Sequence, residues 1–475
     1  MPKQRLALVA AVAGVAFVAA SPSAPAENLS SPAAACAGRY RVRSGDTLSA
    51  LARRFRTTVP ALARANSMHP NGVLLAGRLL RVPSACAKAP SAPKRAVRPS
   101  SLAASLNRAL AVPGTVRGRT GVVVVDLASS TVVYALNPEL PLEPASTEKL
   151  PVALTALQRL GAGFRTYTAV FGSGSRSGAT WSGDLVLKGF GDPMLTSQGL
   201  KGLARAIRNQ GITAVSGGVV GDESYFDAQR TAPGWKGSFA KTESPLLSAL
   251  VVDRGVLDGH AVDHPALAAA ILFTRALQRA GVSVGRPPRV GIAGANAVQL
   301  VRRLSPPLSR MLAQMDTWSD NFIAEMLLKE LGARLSGSGS TAAGAAVVEA
   351  TLTANAVPLG ASRIVDGSGL SSLDRLTART LAATLETIWH VEGLRTLMNT
   401  FAVAGSTGTL RHRLLGVPGH ELVRGKTGTT NASSALAGFV GSRYAFAVLC
   451  NGSPVNWTAA HALQDRVAQV LLARV

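Results

Sequence analysis

Cysteines and aromatic residues are scarce in this sequence, whose 475 residues include three cysteines and only 5% Phe, Trp and Tyr. So few cysteines exclude a small fold that is stapled by several disulfides. Charged residues are also few, at 16%, whereas hydrophobic residues reach 47%. This balance excludes general disorder and a coiled coil. The length therefore predicts two or three globular domains with at least one sizeable core.

Acidic residues are the scarcer charge, because 26 Asp and Glu stand against 50 Lys and Arg, for a formal net charge of +24. An excess of this size favours binding to an anionic surface or polymer. No basic run alternates with aromatic residues, however, so the sequence lacks the stacking platform of a nucleic-acid-binding protein. We therefore expect no nucleic-acid partner.

The N-terminal segment 1–26 has the pattern of a secretory signal peptide. Two basic residues precede an apolar stretch from Leu6 to Ala20, and small residues suit cleavage after either Ala20 or Ala26. A membrane anchor is the alternative, but this stretch is shorter than the roughly 20 apolar residues that a spanning helix needs. The pattern therefore predicts a secreted, extracytoplasmic protein.

Secretion permits disulfides, and two of the three cysteines flank one short segment. Cys36 and Cys86 have no other cysteine between them, so we expect them to be bonded, with two free thiols as the alternative. Cys450 ends the apolar run Tyr444–Cys450. It is expected to be a buried strand residue without a disulfide partner.

Residues 40–83 have the pattern of a strand, two short helices and a second strand, or βααβ. Thr47 and Thr58 stand where they can cap the two helices, and Asn66 marks the end of the second. The segment resembles the LysM domain through Tyr40–Leu48, Ala65-Asn66 and Leu80–Pro83. The resemblance implies binding to a glycan that contains N-acetylglucosamine, such as peptidoglycan. Eight arginines against one aspartate also favour an anionic wall, and a spacer that binds nothing is the alternative.

A change of composition separates this segment from the rest of the chain. Residues 84–100 are rich in Ala, Pro, Ser and basic residues, which predicts a semi-extended linker. The linker would hold a domain at 101–475 close to the wall and raise its effective concentration there.

Three short motifs in residues 101–475 carry candidate catalytic groups. They are Ser146-Thr147-Glu148-Lys149, Ser319-Asp320-Asn321 and Lys426-Thr427-Gly428-Thr429. The first follows a predicted hairpin and begins an apolar helix, so its serine and lysine share one helix face. That spacing alone proves little, because Ser91/Lys94 and Ser238/Lys241 have it too. The motifs gain weight from their order, their flanking elements and the rarity of Lys-Thr-Gly, which occurs once.

In this order the motifs resemble those of the penicillin-recognising serine enzymes. The chain is more narrowly similar to the secreted D-alanyl-D-alanine carboxypeptidases/endopeptidases of the class C low-molecular-mass penicillin-binding group. The narrower assignment rests on stretches at 183–193, 221–227, 233–235 and 366–371, which are expected to serve as turns and packing. The family usually has two inserted domains, and the short connection from Val252 to Leu267 suggests that the second is missing.

The resemblance implies an α+β fold of the penicillin-binding/β-lactamase-like transpeptidase type. An antiparallel sheet made of the N-terminal hairpin and three C-terminal strands would be flanked by helices. A helical lobe would hold Ser319, and a small inserted lobe at about 165–290 would contain Gly-rich strands and one helix, Leu200–Asn209.

The resemblance also implies a role for each motif residue. Ser146 would be the nucleophile and Lys149 its base, with a pKa lowered by burial and by the charge of Lys426. Ser319 would pass the proton to the leaving amine, and Asn321 would orient Lys149. The expected substrate-binding residues are Lys426, Thr427, Gly428 and Thr429, and the backbone N–H groups of Ser146 and Thr429 would form the oxyanion hole.

The sequence therefore predicts a wall-associated, penicillin-sensitive serine carboxypeptidase/endopeptidase that needs no cofactor. Its substrates would be peptidoglycan stem peptides that end in D-Ala-D-Ala, and β-lactams would inhibit it covalently. An inactive glycan-binding protein, a β-lactamase-like hydrolase and a metallopeptidase are the alternatives. His260 and His264 are four residues apart, but no His-Glu-x-x-His pattern occurs, so no metal site is expected.

Overall fold

The structure of the protein is a computed structural model. It describes residues 39–43, 45–55, 57–70, 74, 76–82 and 101–475. The predicted signal peptide, the Cys36–Cys86 disulfide and the linker fall outside these residues. The chain divides into two compact units, Met1–Val97 and Arg98–Val475, each of which is described by itself.

The first unit has the predicted βααβ order. Its elements are β1 (Arg39–Arg41), α1 (Leu48–Arg54), α2 (Val59–Arg64) and β2 (Leu79–Arg81). The Thr47 and Thr58 hydroxyls accept hydrogen bonds from backbone N–H groups in the first turns of the two helices, as expected of N-caps. The strands pair antiparallel, and a small apolar core lies beneath them.

Asn66 ties the second helix of this unit to its closing strand. Its Nδ2 donates to the carbonyl oxygens of Leu62 at 2.7 Å and Arg81 at 2.8 Å, and its Oδ1 accepts from the Arg81 N–H at 2.6 Å. One amide side chain thus satisfies three backbone groups, which explains why the sequence signal at the helix end is an asparagine.

The second unit contains the remaining elements. Its helices are α3 (Ser101–Ala109), α4 (Lys149–Leu160), α5 (Ser197–Asn209), α6 (Phe239–Thr242), α7 (Pro265–Arg279), α8 (Leu308–Trp318), α9 (Asn321–Ser336), α10 (Thr341–Ala354), α11 (Ala378–His390) and α12 (Trp457–Leu472). Its strands are β3 (Thr120–Asp126), β4 (Thr131–Leu136), β5 (Tyr167–Ser177), β6 (Thr180–Gly189), β7 (Ala214–Val215), β8 (Val219–Asp222), β9 (Val256–Leu257), β10 (His260–Ala261), β11 (Ser283–Val284), β12 (Arg289–Val290), β13 (Val298–Leu304), β14 (Ala402–Val403), β15 (Val423–Thr429), β16 (Ser433–Val440) and β17 (Tyr444–Asn451).

An antiparallel sheet of six strands organises this unit, in the order β14-β15-β16-β17-β3-β4. Successive strand residues face opposite sides, and both sides are buried. Val123 and Val125 join the core formed with α4, α8, α9, α10 and α11, whereas Val122 and Val124 join the core formed with α3 and α12. Burial of both faces explains the uninterrupted valine run. The predicted α+β sheet flanked by helices is confirmed.

A helical lobe lies beside the sheet, where α4 packs on α8, α9 and α10. Ser319 lies at the junction of α8 and α9, which is where the sequence predicts it. Cys450 is buried in β17 and is a free cysteine, also as predicted. Among the residues that the structure describes, no helix is both long and apolar enough to cross a membrane.

A second sheet forms the inserted lobe, in the order β11-β7-β6-β5-β13, with β8 beside β6 and β12 beside β8. The predicted helix is present as α5, but the prediction of a single helix was wrong, because α7 packs on the same core. Pro265 occupies the first turn of α7, where its missing N–H costs no hydrogen bond. The lobe also extends past the predicted limit near residue 290, since β13 pairs with β5.

Candidate active site

Ser146 and Lys149 stand at the start of α4, where a short 3-10 turn, Ala145–Glu148, runs into the helix. The three-residue spacing places the lysine Nζ 2.9 Å from the serine Oγ. The Lys149 side chain is fully buried, whereas Ser146 lines an open pocket. The arrangement pairs an accessible hydroxyl with an amine that water cannot reach directly.

Lys149 has two further partners, and both are oxygens that can only accept. Its Nζ donates to Asn321 Oδ1 at 2.8 Å and to the Ser368 carbonyl oxygen at 2.6 Å. A neutral amine has two hydrogens and one lone pair. The two oxygens take the hydrogens, so the lone pair is directed at the Ser146 hydroxyl, which is the arrangement that a general base requires.

Burial lowers the pKa of Lys149 to about 8, because desolvation disfavours the ammonium form. The carboxyls of Asp366 and Glu325 act in the opposite direction. Sequence reasoning assigned part of this lowering to the charge of Lys426. In the structure burial is the main cause of the lowered pKa of Lys149. The repulsion between the two lysines instead lowers the pKa of Lys426, which burial lowers as well.

The turn between α8 and α9 presents Ser319 and Asn321 to the same pocket. Ser319 ends α8 in the left-handed region at a φ of 63°, and Asp320 caps α9 by accepting from the Ile323 N–H at 3.0 Å. The Asn321 Nδ2 donates to the Glu243 carbonyl at 2.9 Å. That bond fixes the amide orientation, so Oδ1 faces Lys149.

Lys426 projects from β15 and is also fully buried. Its Nζ donates to Ser319 Oγ at 2.8 Å and to the Thr427 carbonyl oxygen at 2.8 Å. An ammonium has three donors, so one remains available for a further acceptor. The Thr427 hydroxyl donates to Thr409 Oγ1 at 2.7 Å, which orients it at the pocket wall.

The three motifs therefore meet at one pocket of about 330 Å³. Its lining includes Ser146, Ser319, Asn321, Thr427 and Thr429. The structure thus brings the expected residues together, although they are far apart in the sequence.

Gly428 contributes space to this arrangement. A Cβ atom at this position would lie 2.6 Å from the Pro144 carbonyl oxygen and 3.1 Å from the Ala145 Cβ. A side chain here would therefore push β15 away from the turn that carries Ser146, which explains the glycine of the third motif.

Sequence reasoning missed several groups at this site. The Ser368 and Glu243 carbonyls are backbone acceptors, and no residue type signals them. Arg413 and His461 also line the pocket, and the sequence offers no motif that marks them. In the described part of the chain, no three His, Cys, Asp or Glu side chains are grouped so that they could hold a metal ion.

Two family models match most of the chain. The model described as the D-Ala-D-Ala carboxypeptidase 3 (S13) family matches residues 102–260 and 256–474. The LysM domain model matches residues 40–83.

Curated relatives give the same result. A D-alanyl-D-alanine carboxypeptidase of Actinomadura sp. (strain R39) is 29% identical over 440 residues, covering 74% of this chain and 80% of the relative. Carboxypeptidase DacB of Mycolicibacterium smegmatis is 30% identical over 393 residues, covering 76% and 82% respectively.

Solved structures share the fold. Penicillin binding protein 4 (dacB) of Haemophilus influenzae superposes with a TM-score of 0.70 at 23% identity, over 78% of this chain and 99% of that protein. The same protein complexed with a novel β-lactam gives a TM-score of 0.67.

Proposed function

Because this chain belongs to the D-Ala-D-Ala carboxypeptidase 3 (S13) family and is a serine-type D-Ala-D-Ala carboxypeptidase, we propose that it works through an acyl-enzyme formed on Ser146. The observation that carries the proposal is the set of three contacts made by the Lys149 Nζ. Two acceptor-only oxygens and one hydroxyl surround a buried amine whose pKa is about 8. Such an amine is neutral often enough near neutral pH to accept a proton.

In the first half-reaction, Ser146 Oγ attacks the carbonyl carbon of the bond between the two D-alanines, and its proton passes to the Lys149 Nζ. The C–N bond then breaks, and the proton that Lys149 accepted passes by way of Ser319 to the leaving amine. The contact between Ser319 Oγ and the Lys426 Nζ supports this route, because it keeps the hydroxyl within the site. Attack by water on the ester releases the shortened peptide and frees Ser146.

The terminal carboxylate of the substrate is proposed to bind beside Lys426, Thr427 and Thr429. The free donor on the Lys426 ammonium and the Thr429 hydroxyl suit a carboxylate, and the Thr427 hydroxyl can donate to it by giving up its bond to Thr409. A bound negative charge also favours the protonated form of Lys426. Lys426 would then stay protonated while Lys149 becomes neutral. Substrate binding would thus give the two buried lysines different protonation states. The backbone N–H groups of Ser146 and Thr429 are assigned to the oxyanion hole.

We further propose that the protein is secreted and that its LysM domain holds it on peptidoglycan. The signal-like pattern of residues 1–26 and the match at 40–83 support this location. The wall glycan would then be a partner of the first unit, and the stem peptides would be substrates of the second. The linker would let one molecule cleave many stems around its anchoring point.

Two measurements test the proposal. A fluorescent penicillin should label the protein covalently, and Ser146→Ala should abolish the labelling at equal protein concentration. Mass spectrometry of purified muropeptides should show loss of one alanine for carboxypeptidase activity or cleavage of a cross-bridge for endopeptidase activity. Absence of both products with an intact Ser146 would contradict the proposal. Rapid release of hydrolysed penicillin would indicate a β-lactamase instead, and inhibition by a chelator would indicate a metallopeptidase.

A further inference from the structure

The Ser368 carbonyl makes the shortest contact of the Lys149 Nζ, at 2.6 Å. Its position depends on the peptide groups around it. The N–H groups of Gly367 and Ser368 both donate to Glu325 Oε1, at 3.0 and 2.8 Å. Glu325 is fully buried on α9. The peptide groups that precede the carbonyl are therefore hydrogen-bonded to α9, the helix that also begins with Asn321.

The peptide groups that follow the carbonyl belong to the loop 366–372, which folds around the Asp366 carboxylate. Asp366 Oδ1 accepts from the Gly369 N–H at 2.7 Å, and Oδ2 accepts from the Ser371 N–H at 2.8 Å and from Ser368 Oγ at 3.2 Å. Asp366 is fully buried, so these hydrogen bonds replace the ones that water would make to an exposed carboxylate.

This loop also touches the turn that carries the nucleophile. Gly369 has a φ of 78°, and a Cβ atom on it would lie 1.9 Å from the Ala145 carbonyl oxygen. The loop backbone therefore packs directly against the residue before Ser146. A small displacement of the loop would move both the Ser368 carbonyl and this contact.

A fourth donor reaches Asp366 from a distant segment. The Trp235 Nε1–H donates to Asp366 Oδ2 at 2.8 Å. Three further hydrogen bonds join the same segment to the loop. Ser371 Oγ donates to the Pro233 carbonyl at 2.7 Å, and the N–H and the Oγ of Ser372 both donate to the Gly234 carbonyl at 3.2 Å. Two stretches expected from the sequence to be only turns and packing, 233–235 and 366–371, are thus bonded to each other.

We propose that Trp235 and Asp366 are positioning residues, which hold the Ser368 carbonyl against the Lys149 amine and so control how well Lys149 acts as the base. The inference rests on the proposed function of Lys149. Trp235 touches neither Lys149 nor Ser146 through any of these bonds, so it acts through Asp366 and the loop. The segment that contains Trp235 would thus position the catalytic residues without contacting them.

The test compares two tryptophans. Trp235→Phe removes the indole N–H that bonds to Asp366. Trp181→Phe is the matched control, because Trp181 is buried in β6 and its Nε1 has no hydrogen-bond partner among the described residues. Stopped-flow acylation by a fluorescent penicillin separates the binding constant of the first complex from the acylation rate constant. Thermal unfolding of each variant shows that the comparison is made on folded protein.

We expect Trp235→Phe to lower the acylation rate constant by about tenfold to a hundredfold, the effect of a misplaced catalytic group, with the binding constant unchanged. Trp181→Phe should leave both constants at the wild-type value. Asp366→Asn should lower the rate constant further, since its Nδ2 would face the N–H donors of Ser371 and Trp235. The double variant should be no slower than Asp366→Asn, because Trp235 acts through Asp366.

The inference is overturned if Trp235→Phe acylates like Trp181→Phe, if it changes the binding constant alone, or if its effect adds fully to that of Asp366→Asn. These results leave the proposed function intact as long as Ser146→Ala is not labelled. Labelling of Ser146→Ala would instead remove the proposed function itself. Failure of Asp366→Asn to fold does not affect the comparison of the two tryptophans.

Discussion

Lys149 Nζ lies 2.9 Å from Ser146 Oγ, and Lys426 Nζ stands in the same relation to Ser319 Oγ, at 2.8 Å. Two buried lysines thus each contact one serine in a single pocket. Burial lowers the pKa of both amines, and the proximity of a second positive charge lowers that of Lys426 further. The site therefore disfavours the ammonium form of both lysines at the same time, and one of the two can be neutral.

The first prediction concerns the pH dependence of acylation. The pKa of Lys149 is about 8, so the fraction of neutral amine rises as pH increases through this value. The rate constant for acylation by a fluorescent penicillin should therefore rise between about pH 7 and pH 9. Stopped-flow traces at a series of pH values measure it, and Ser146→Ala should stay unlabelled throughout. A rate constant that falls across this range would contradict the role of Lys149 as the base.

The second prediction concerns Asn321, whose Oδ1 lies 2.8 Å from the Lys149 Nζ. Asn321→Asp would place a negative charge there, which favours the ammonium form and raises the pKa of Lys149. Acylation at pH 7 should fall by about tenfold or more and recover partly at higher pH, since one pKa unit is a tenfold change in the protonation equilibrium. Asn321→Ala is the control, because it removes the acceptor without adding charge. An equal pH midpoint for the two variants would argue against this electrostatic explanation.

The third prediction concerns recognition of the terminal carboxylate. A substrate with a C-terminal amide has no charge to pair with Lys426, so the wild-type enzyme should hydrolyse it much more slowly than the free acid. Lys426→Gln should raise KM for the acid by about tenfold or more, as expected for the loss of a buried charged partner. It should also narrow the difference between acid and amide. Steady-state kinetics on the paired peptides measure this, and an unchanged acid-to-amide ratio would place the carboxylate elsewhere.

Much of the site could be predicted because its side chains lie in short, ordered motifs. The three-residue spacing of Ser146 and Lys149 predicts that their side chains lie close together, and they do, although Ser146 stands in a 3-10 turn just before α4. The Lys-Thr-Gly strand was predictable from its apolar flanks, and the caps Thr47 and Thr58 from local chemistry. Each of these signals lies within a few residues of sequence.

The rest of the site depends on contacts that no local pattern records. The Ser368 carbonyl reaches Lys149 across 219 residues of sequence, and a backbone oxygen has no identity in the sequence. The link between Trp235 and Asp366 spans 131 residues and joins two stretches that looked like ordinary turns. The helix α7 was not predicted, because Pro265 is as typical of a loop as it is of the first turn of a helix.

The fourth prediction concerns wall binding by the first unit. Asn66→Ala removes three hydrogen bonds that join α2 to β2, so it should unfold or loosen this small unit. The full-length variant should sediment with purified walls much less than the wild type. Hydrolysis of a soluble peptide should be unchanged, because the motif residues lie in the other unit. Asn355→Ala, at the end of α10, is the control for an asparagine at a helix end, and equal loss of sedimentation by both variants would contradict the prediction.

The last prediction concerns stability and pH through Asp192, a carboxyl only 3% exposed. Burial raises its pKa to about 6, although the Met194 N–H and Arg303 act to lower it. The folded protein therefore binds this proton more tightly than the unfolded chain does. The free energy of unfolding should fall as pH rises from about 4 to about 6 and stay lower above that.

Asp192→Asn keeps the acceptor that Met194 uses, at 2.9 Å, but cannot ionise. It should stabilise the protein by roughly 2 to 3 kcal/mol at pH 7.5 and by less at pH 5, since one pKa unit corresponds to about 1.4 kcal/mol. Urea denaturation at the two pH values measures the difference, with Glu392→Gln as an exposed-carboxyl control. An equal gain at both pH values would show that the effect comes from packing, because only an ionisation makes it depend on pH.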